Sequence, residues 1–171
     1  MKRRPFVIAL ATSVVAPAPA LAAGDKVADL GDAQRWLDRL RTAGEPRSTG
    51  AWPLGSVLEH LAQSIEMSID GFPQPKGALF QQTVGSAAFA FFRWRGRMSH
   101  GLDEPIPGAP ALTAGPAWQP AAARLQAAIQ RFEQHRGPLR PHFAYGALSK
   151  PEFALAHTFH IANHQDEIRL A

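Results

Sequence analysis

The amino-acid sequence predicts an all-α domain, and three observations support that fold class. Apolar residues recur at the i, i+3, i+4 and i+7 spacing of a helix face. Helix-capping residues begin several of these stretches, and glycine or proline follows most of them. The predicted helices cover about residues 32–43, 54–70, 79–98, 121–135 and 149–170. With 171 residues, 46% of them hydrophobic, the chain is expected to form one domain with a buried core.

The first predicted helix runs from about Asp32 to Ala43, with Asp32 as its N-cap. Its apolar stripe consists of Ala33, Trp36, Leu37 and Leu40. Gly44 and Pro46 follow the stripe and are expected to end the helix.

The second predicted helix covers residues 54–70, with Ser56 and Glu59 as a candidate capping box. A start at Pro53 is the alternative. The core stripe is Val57, Leu58, Leu61, Ile65 and Ile69. His60 is predicted at the edge of this stripe. The side expected to face solvent carries Glu59, Gln63 and Glu66.

The third helical stretch, residues 79–98, ends in a run of aromatic and arginine residues. Such aromatics are usually core residues with arginines around them. An aromatic and basic surface for single-stranded nucleic acid is the less favoured alternative. Residues 103–120 contain five prolines and are predicted to be a loop, and loops of this length are often functional.

The fourth predicted helix covers residues 121–135, with one face formed by Leu125, Ile129 and Phe132. Residues 141–148 link it to the last helix. This link contains His142 and Tyr145, which we expect to be a surface histidine and a packing tyrosine. A position at the mouth of a pocket is the alternative for both residues.

The last predicted helix begins at a capping box formed by Ser149 and Glu152. It carries the three histidines His157, His160 and His164. His160 and His164 lie one turn apart on the same side, and His157 lies close to them. The apolar residues predicted on the same side are Phe153, Ile161 and Ile168. The imidazoles are therefore predicted to lie along an apolar face.

Imidazoles on an apolar face need partners, because burying an unpaired polar nitrogen costs free energy. A divalent metal ion supplies such a partner, since neutral imidazole is a common nitrogen ligand. The spacing of His160 and His164 suits a single ion, and a further ligand must come from another helix. His60 is the natural third ligand if its helix packs antiparallel to the last one. The alternative is that these are core histidines hydrogen-bonded to protein groups.

Residues 1–23 have the features of an export signal, with a basic start, an apolar stretch and an A-x-A cleavage pattern at residues 20–22. Arg3 and Arg4 favour the twin-arginine route slightly, and a general secretory signal or an uncleaved anchor is the alternative. We therefore predict a domain at residues 24–171 and a periplasmic or exported location.

Composition excludes several classes of function. The chain has no cysteine, which excludes disulfides, thiolate ligands and a cysteine nucleophile. Its net charge of +4 falls to about +1 when the three basic residues of the signal are removed. We therefore expect no nucleic-acid partner, and no membrane contact beyond the signal segment.

Five short motifs occur in a fixed order along the chain. They are WPLGSVLEHLAQSIE at residues 52–66, IDGFP at 69–73, PIPGAP at 105–110, FAYG with the following Leu148-Ser149 at 143–149, and HIANH at 160–164. Together they resemble the branch catalogued as domain of unknown function 1569, within the DinB/YfiT-like superfamily of proposed metalloenzymes. Members of this branch often carry adjacent histidines at the end of the last motif, where this chain has Asn163 before His164.

The resemblance implies a four-helix bundle with one divalent metal ion held between helices. The implied ligands are His60, His160 and His164, and open positions are left for water or substrate. His157 would then be a residue that orients a ligand, with a fourth ligand or a core residue as alternatives. We expect the additional helical segment, residues 79–98, to lie outside the bundle or to cap it.

Three neutral ligands leave the charge of a dication undiminished, so that it lowers the pKa of a bound water or thiol. The expected activity is therefore metal-dependent hydrolysis, with His157 or Glu66 as acid or base, or a thiol-dependent transfer to a small-molecule substrate. The alternative is a metal-binding or ligand-binding module without catalysis. Zinc, nickel and iron all suit three imidazoles.

Leu155 and Phe159 are predicted on the side of the last helix opposite the histidines. We expect this side to be covered as well, either by a homodimer contact or by the extra helical segment.

Overall fold

The computed structural model describes residues 26–170, so the predicted export signal lies outside the described residues. The helices are α1 (Leu30–Thr42), α2 (Leu54–Asp70), α3 (Ala78–Phe80), α4 (Ser86–Arg95), α5 (Trp118–Gln134) and α6 (Lys150–Gln165). A π-helical turn, Gln81–Gly85, joins α3 to α4. The strands are β1 (Arg47–Ser48) and β2 (Ile168–Arg169). The prediction of an all-α fold is confirmed. Within residues 26–170, no helix has the length and apolar character needed to cross a membrane.

Four of the helices, α1, α2, α5 and α6, pack together as a bundle around one apolar core. The largest fully buried side chains include Trp36, Leu58, Ile65, Leu125, Phe132 and Phe153, which come from all four helices. Strands β1 and β2 pair antiparallel, with Ser48 opposite Ile168. This short sheet ties the end of the chain to the segment between α1 and α2.

Helix α1 begins two residues earlier than predicted. Its N-cap is Asp29, whose carboxylate accepts a hydrogen bond from the backbone N–H of Asp32. The prediction that Asp32 is the cap is therefore wrong, because the acidic residue three positions earlier satisfies the free N–H groups of the first turn. The apolar stripe of this helix is buried as predicted.

Helix α2 has the predicted bounds, but its surroundings differ from the prediction. Pro53 precedes it and the predicted Ser56–Glu59 capping box does not form. Glu59 and Gln63 are buried, although they were expected to face solvent. The proline-rich loop before α5 covers them, because Glu59 accepts hydrogen bonds from the backbone N–H groups of Thr113 and Ala114. Gln63 donates to the backbone oxygen of Pro110.

The segment from α3 to α4 packs mainly on itself and lies outside the four-helix core, as predicted. The expectation that its aromatics are core residues is wrong for most of them. Phe89 is buried, where its ring stacks on Tyr145 at 5.3 Å between centroids. The large apolar side chains that this segment exposes are Leu79, Phe80, Val84, Phe91 and Trp94.

Helix α6 begins as predicted, with the capping box of Ser149 and Glu152 formed in both directions. It ends at Gln165, so the prediction that the helix continues through Ile168 is wrong. Ile168 lies in β2 and is buried there instead. The helix end lets the chain turn back, which brings Glu167 against the histidine face.

Candidate metal centre

Three histidines meet between two helices of the bundle. His60 lies on α2, and His160 and His164 lie one turn apart on α6. The centroids of the three rings are 4.9 to 5.2 Å apart. Each imidazole offers one nitrogen such that the three nitrogens lie within 4.8 Å of one another, so this group could hold a metal ion. The sequence-based prediction that these three residues lie together is consistent with this geometry.

Contacts with protein side chains hold the Nδ1 atom on two of the three rings. The Nδ1 atom of His164 lies 2.8 Å from a carboxylate oxygen of Glu167, and Nδ1 of His160 lies 3.2 Å from the hydroxyl of Ser64. With Nδ1–H donating to the carboxylate, Nε2 of His164 carries a lone pair. The Nε2 atoms of His60 and His160 are 3.1 Å apart.

Burial keeps these imidazoles neutral. Loss of solvent, followed by repulsion from His100, lowers the pKa of His60 to about 4. Burial, with nearby His60 and His100, lowers the pKa of His164 to about 3. The pKa of His160 also lies well below its usual value for the same reasons. All three are therefore unprotonated at neutral pH, which is the form that binds metals.

Two buried nitrogens in this group have no hydrogen-bond partner, namely Nδ1 of His60 and Nε2 of His164. An unpaired buried polar atom costs about 1–3 kcal/mol, so such atoms call for an explanation. A metal ion would give the lone pair on Nε2 of His164 a partner, since no hydrogen-bond donor reaches this atom. The donor set of three neutral imidazoles also suits zinc, nickel or iron. These residues therefore fit a divalent metal ion.

A cavity of about 260 Å³ opens beside the group, and His60 and His160 line it. Apolar side chains form most of its other walls, including Met98, Ile106 and Phe143. The space suits a small organic molecule, because small-molecule sites are concave and mainly apolar with a few polar groups.

His157 lines the same cavity but is not one of the three grouped histidines. It is buried, with its ring against Phe153 and Phe132 and its Nε2 atom without a partner. Burial lowers its pKa to about 3. Its predicted role as a residue that orients a ligand stays a prediction.

His142 and Tyr145 also line the cavity, and the expectation of a surface histidine is wrong for His142. The two rings stack at 4.2 Å, and Nδ1 of His142 accepts from the backbone N–H groups of Ala144 and Tyr145. Burial lowers the pKa of His142 to about 3 and raises that of Tyr145 to about 12. The turn that follows α5 folds inward, which spacing along the sequence does not indicate.

Glu66, the other predicted acid or base, does not line this cavity. Its carboxylate forms a two-point ion pair with Arg124 of α5, at 2.9 and 2.7 Å. This pairing gives Glu66 a role in joining α2 to α5, and its predicted catalytic role has no geometric support.

Two residues near the site were not predicted from the sequence. His100 lies in the loop after α4, with its ring 5.0 Å from that of His160, and Glu167 contacts His164. Neither belongs to a helical stripe. The one sequence feature that could have indicated a role for His100 is the presence of a further histidine just before the proline-rich loop.

No curated protein and no solved structure matches the chain significantly. Its relation to the wider DinB/YfiT-like superfamily stays a prediction. One family model, described as protein of unknown function (DUF1569), matches residues 25–170, which is most of the chain. The chain therefore belongs to the DUF1569 family.

Proposed function

We propose that this protein binds one divalent metal ion through His60, His160 and His164 and uses it to hydrolyse a small molecule in the adjoining cavity. The observation that carries the proposal is a group of neutral imidazoles, two of which line a cavity with space for a ligand. A structural metal site would have its ligands enclosed by protein, whereas a catalytic site keeps an accessible side.

A bound dication with three neutral ligands supplies Lewis-acid chemistry and lowers the pKa of a water molecule that it binds. The chain supplies the orientation of the ligands. Glu167 fixes the ring of His164, and Ser64 contacts the ring of His160. Such contacts around metal ligands set the tautomer and the ring orientation.

His157 is the proposed proton acceptor of the site. It lines the cavity, is neutral at pH 7, and its buried Nε2 has no protein partner. Proton transfer by a positioned side chain contributes about 10²–10⁴-fold to rates, and a base with a pKa of about 3 is expected at the lower end of this range. Glu66 is left out of this role because Arg124 binds its carboxylate.

Thiol-dependent transfer is the second candidate reaction. The same ligand set would promote loss of a thiol proton, and the cavity has space for a low-molecular-weight thiol. The predicted export signal disfavours this reaction, since reduced thiols are mainly cytoplasmic. The same signal supports the proposal of a periplasmic or exported location. Hydrolysis is the main proposed reaction.

The test is a comparison of the full chain with its His160→Ala variant, each incubated with zinc, nickel or iron. Each is assayed against nitrophenyl esters, nitrophenyl phosphates and dipeptides, and for transfer from glutathione. We expect hydrolysis that the variant and chelation both abolish. Metal binding without turnover of any of these substrates would contradict the proposal that the protein is an enzyme, and would favour a binding module.

A further inference from the structure

A fourth imidazole stands beside the three grouped histidines. His100 lies in the loop between α4 and α5, and its ring centroid is 5.0 Å from that of His160 and 5.6 Å from that of His164. These separations are close to the 4.9 to 5.2 Å between the rings of the group itself. His100 therefore belongs to the same cluster of rings, although it comes from a different part of the chain.

Local contacts fix which nitrogen of His100 is free. Its Nδ1 atom lies 2.6 Å from the backbone oxygen of Gly101. A carbonyl oxygen only accepts, so Nδ1 carries the hydrogen and Nε2 carries the lone pair. The ring is half-buried and lines the cavity next to His60 and His160. An imidazole in this form is ready to bind a metal through Nε2.

Three of the four rings are held by helices, whereas His100 is held by a loop. The nitrogens of His100 are not within 4.8 Å of all three others, so it is not part of the compact group. The loop is tied to α6 by a long hydrogen bond of 3.5 Å from Asn163 to the backbone oxygen of His100. Met98 and Ile106 on either side of His100 are buried, so the movement that the proposal requires is a rotation of the half-buried His100 side chain.

We propose that His100 is a fourth ligand of the same metal ion, delivered from the loop on the cavity side and displaced when substrate binds. This inference rests on the proposed metal site. When no substrate occupies the cavity, the open coordination position of the metal is therefore filled by His100. None of the five motifs that carry the family resemblance includes His100.

The experiment is a cobalt(II) titration of the full chain, of His100→Ala and of His100→Gln, with His135→Ala as the matched control. The imidazole of His135 contacts the backbone oxygen of Pro138 and does not line the cavity. Visible absorption reports the coordination number of cobalt, and competition with a chelator gives Kd. Circular dichroism checks that each variant keeps its helices.

We expect the parent and His135→Ala to bind one equivalent with the same Kd and the intense bands of four-coordinate cobalt. Both His100 variants should raise Kd at least about tenfold and weaken these bands. Unchanged Kd and spectrum in the His100 variants, with one equivalent still bound, would overturn the role of His100 alone. No cobalt bound by the parent would overturn the metal site itself, and the role of His100 with it.

Discussion

The Nδ1 atom of His164 lies 2.8 Å from Oε1 of Glu167, and both side chains are buried. Burial, together with nearby Asp103, raises the pKa of Glu167, so this carboxylate gains from a partner that donates a hydrogen. The pair makes His164 a stronger metal ligand, because a hydrogen bond from Nδ1–H to a carboxylate increases the basicity of Nε2.

Glu167→Ala should weaken metal binding by about 10–100-fold, because it leaves Nδ1–H of His164 without an acceptor. Glu167→Gln is the matched variant, since its amide oxygen can still accept that hydrogen bond. We expect Glu167→Gln to bind metal more tightly than Glu167→Ala. Chelator competition measures both affinities, and an unchanged Kd in Glu167→Ala would remove Glu167 from the site.

Gly50→Ala should also weaken metal binding, although Gly50 lies outside the histidine group. A Cβ atom at this position would overlap the Oε2 atom of Glu167, so the carboxylate must shift from its present position beside His164. Gly77→Ala is the control, because a Cβ atom there meets no atom within 4 Å. Zinc affinity should fall in Gly50→Ala and stay constant in Gly77→Ala. Equal affinities would mean that the position of Glu167 does not matter.

Glu59→Ala should lower the free energy of unfolding by about 2–3 kcal/mol, because it removes the buried side chain that accepts two hydrogen bonds from part-buried backbone N–H groups of the loop. Glu66→Ala is the comparison. Its ion pair with Arg124 is more exposed, so we expect a loss of at most about 1 kcal/mol. Urea unfolding at pH 7 measures both changes. A larger loss in Glu66→Ala would contradict the anchoring of the loop by Glu59.

The metal-free protein should lose stability as the pH falls below about 6.5. The folded-state pKa is about 4 for His60 and about 3 for His142, His157 and His164, each below the unfolded value of 6.5. The unfolded chain therefore binds more protons between these values, and stability present above pH 6.5 is lost toward pH 3–4. Each imidazole contributes roughly 1 kcal/mol per pH unit in this window.

Urea unfolding at pH 7.0, 6.0 and 5.5 measures this slope. Saturating zinc should reduce the slope, because the metal binds only the unprotonated imidazoles. A metal-free protein whose stability is constant over this range would contradict burial of the imidazoles in their neutral form.

His157→Phe should retain one metal ion per chain and should be at least as stable at pH 7 as the parent. The substitution removes a buried nitrogen that has no partner and places an apolar ring between Phe153 and Phe132. Turnover should fall by about 10²-fold if His157 accepts the proton. Loss of the metal in this variant would instead make His157 a ligand.

Helical periodicity was sufficient to predict the helices and the shared side of His160 and His164, whereas the four-helix bundle was predicted from the family resemblance. Periodicity was not sufficient where a contact depends on a loop. Glu59 lies on the polar side of its helix by sequence and is buried only because the proline-rich loop covers it. His100 and Glu167 reach the histidine group through irregular segments, whose paths no periodic pattern encodes.

The central claim is that His60, His160 and His164 together bind one metal ion. The most direct measurement is the metal content of the full chain, purified without an affinity tag or chelator and then offered zinc, nickel and iron, beside His60→Ala. We predict about one divalent ion per chain in the parent, and none in the variant at unchanged helical content. A parent that binds none of the three metals would contradict the claim and make the histidines structural.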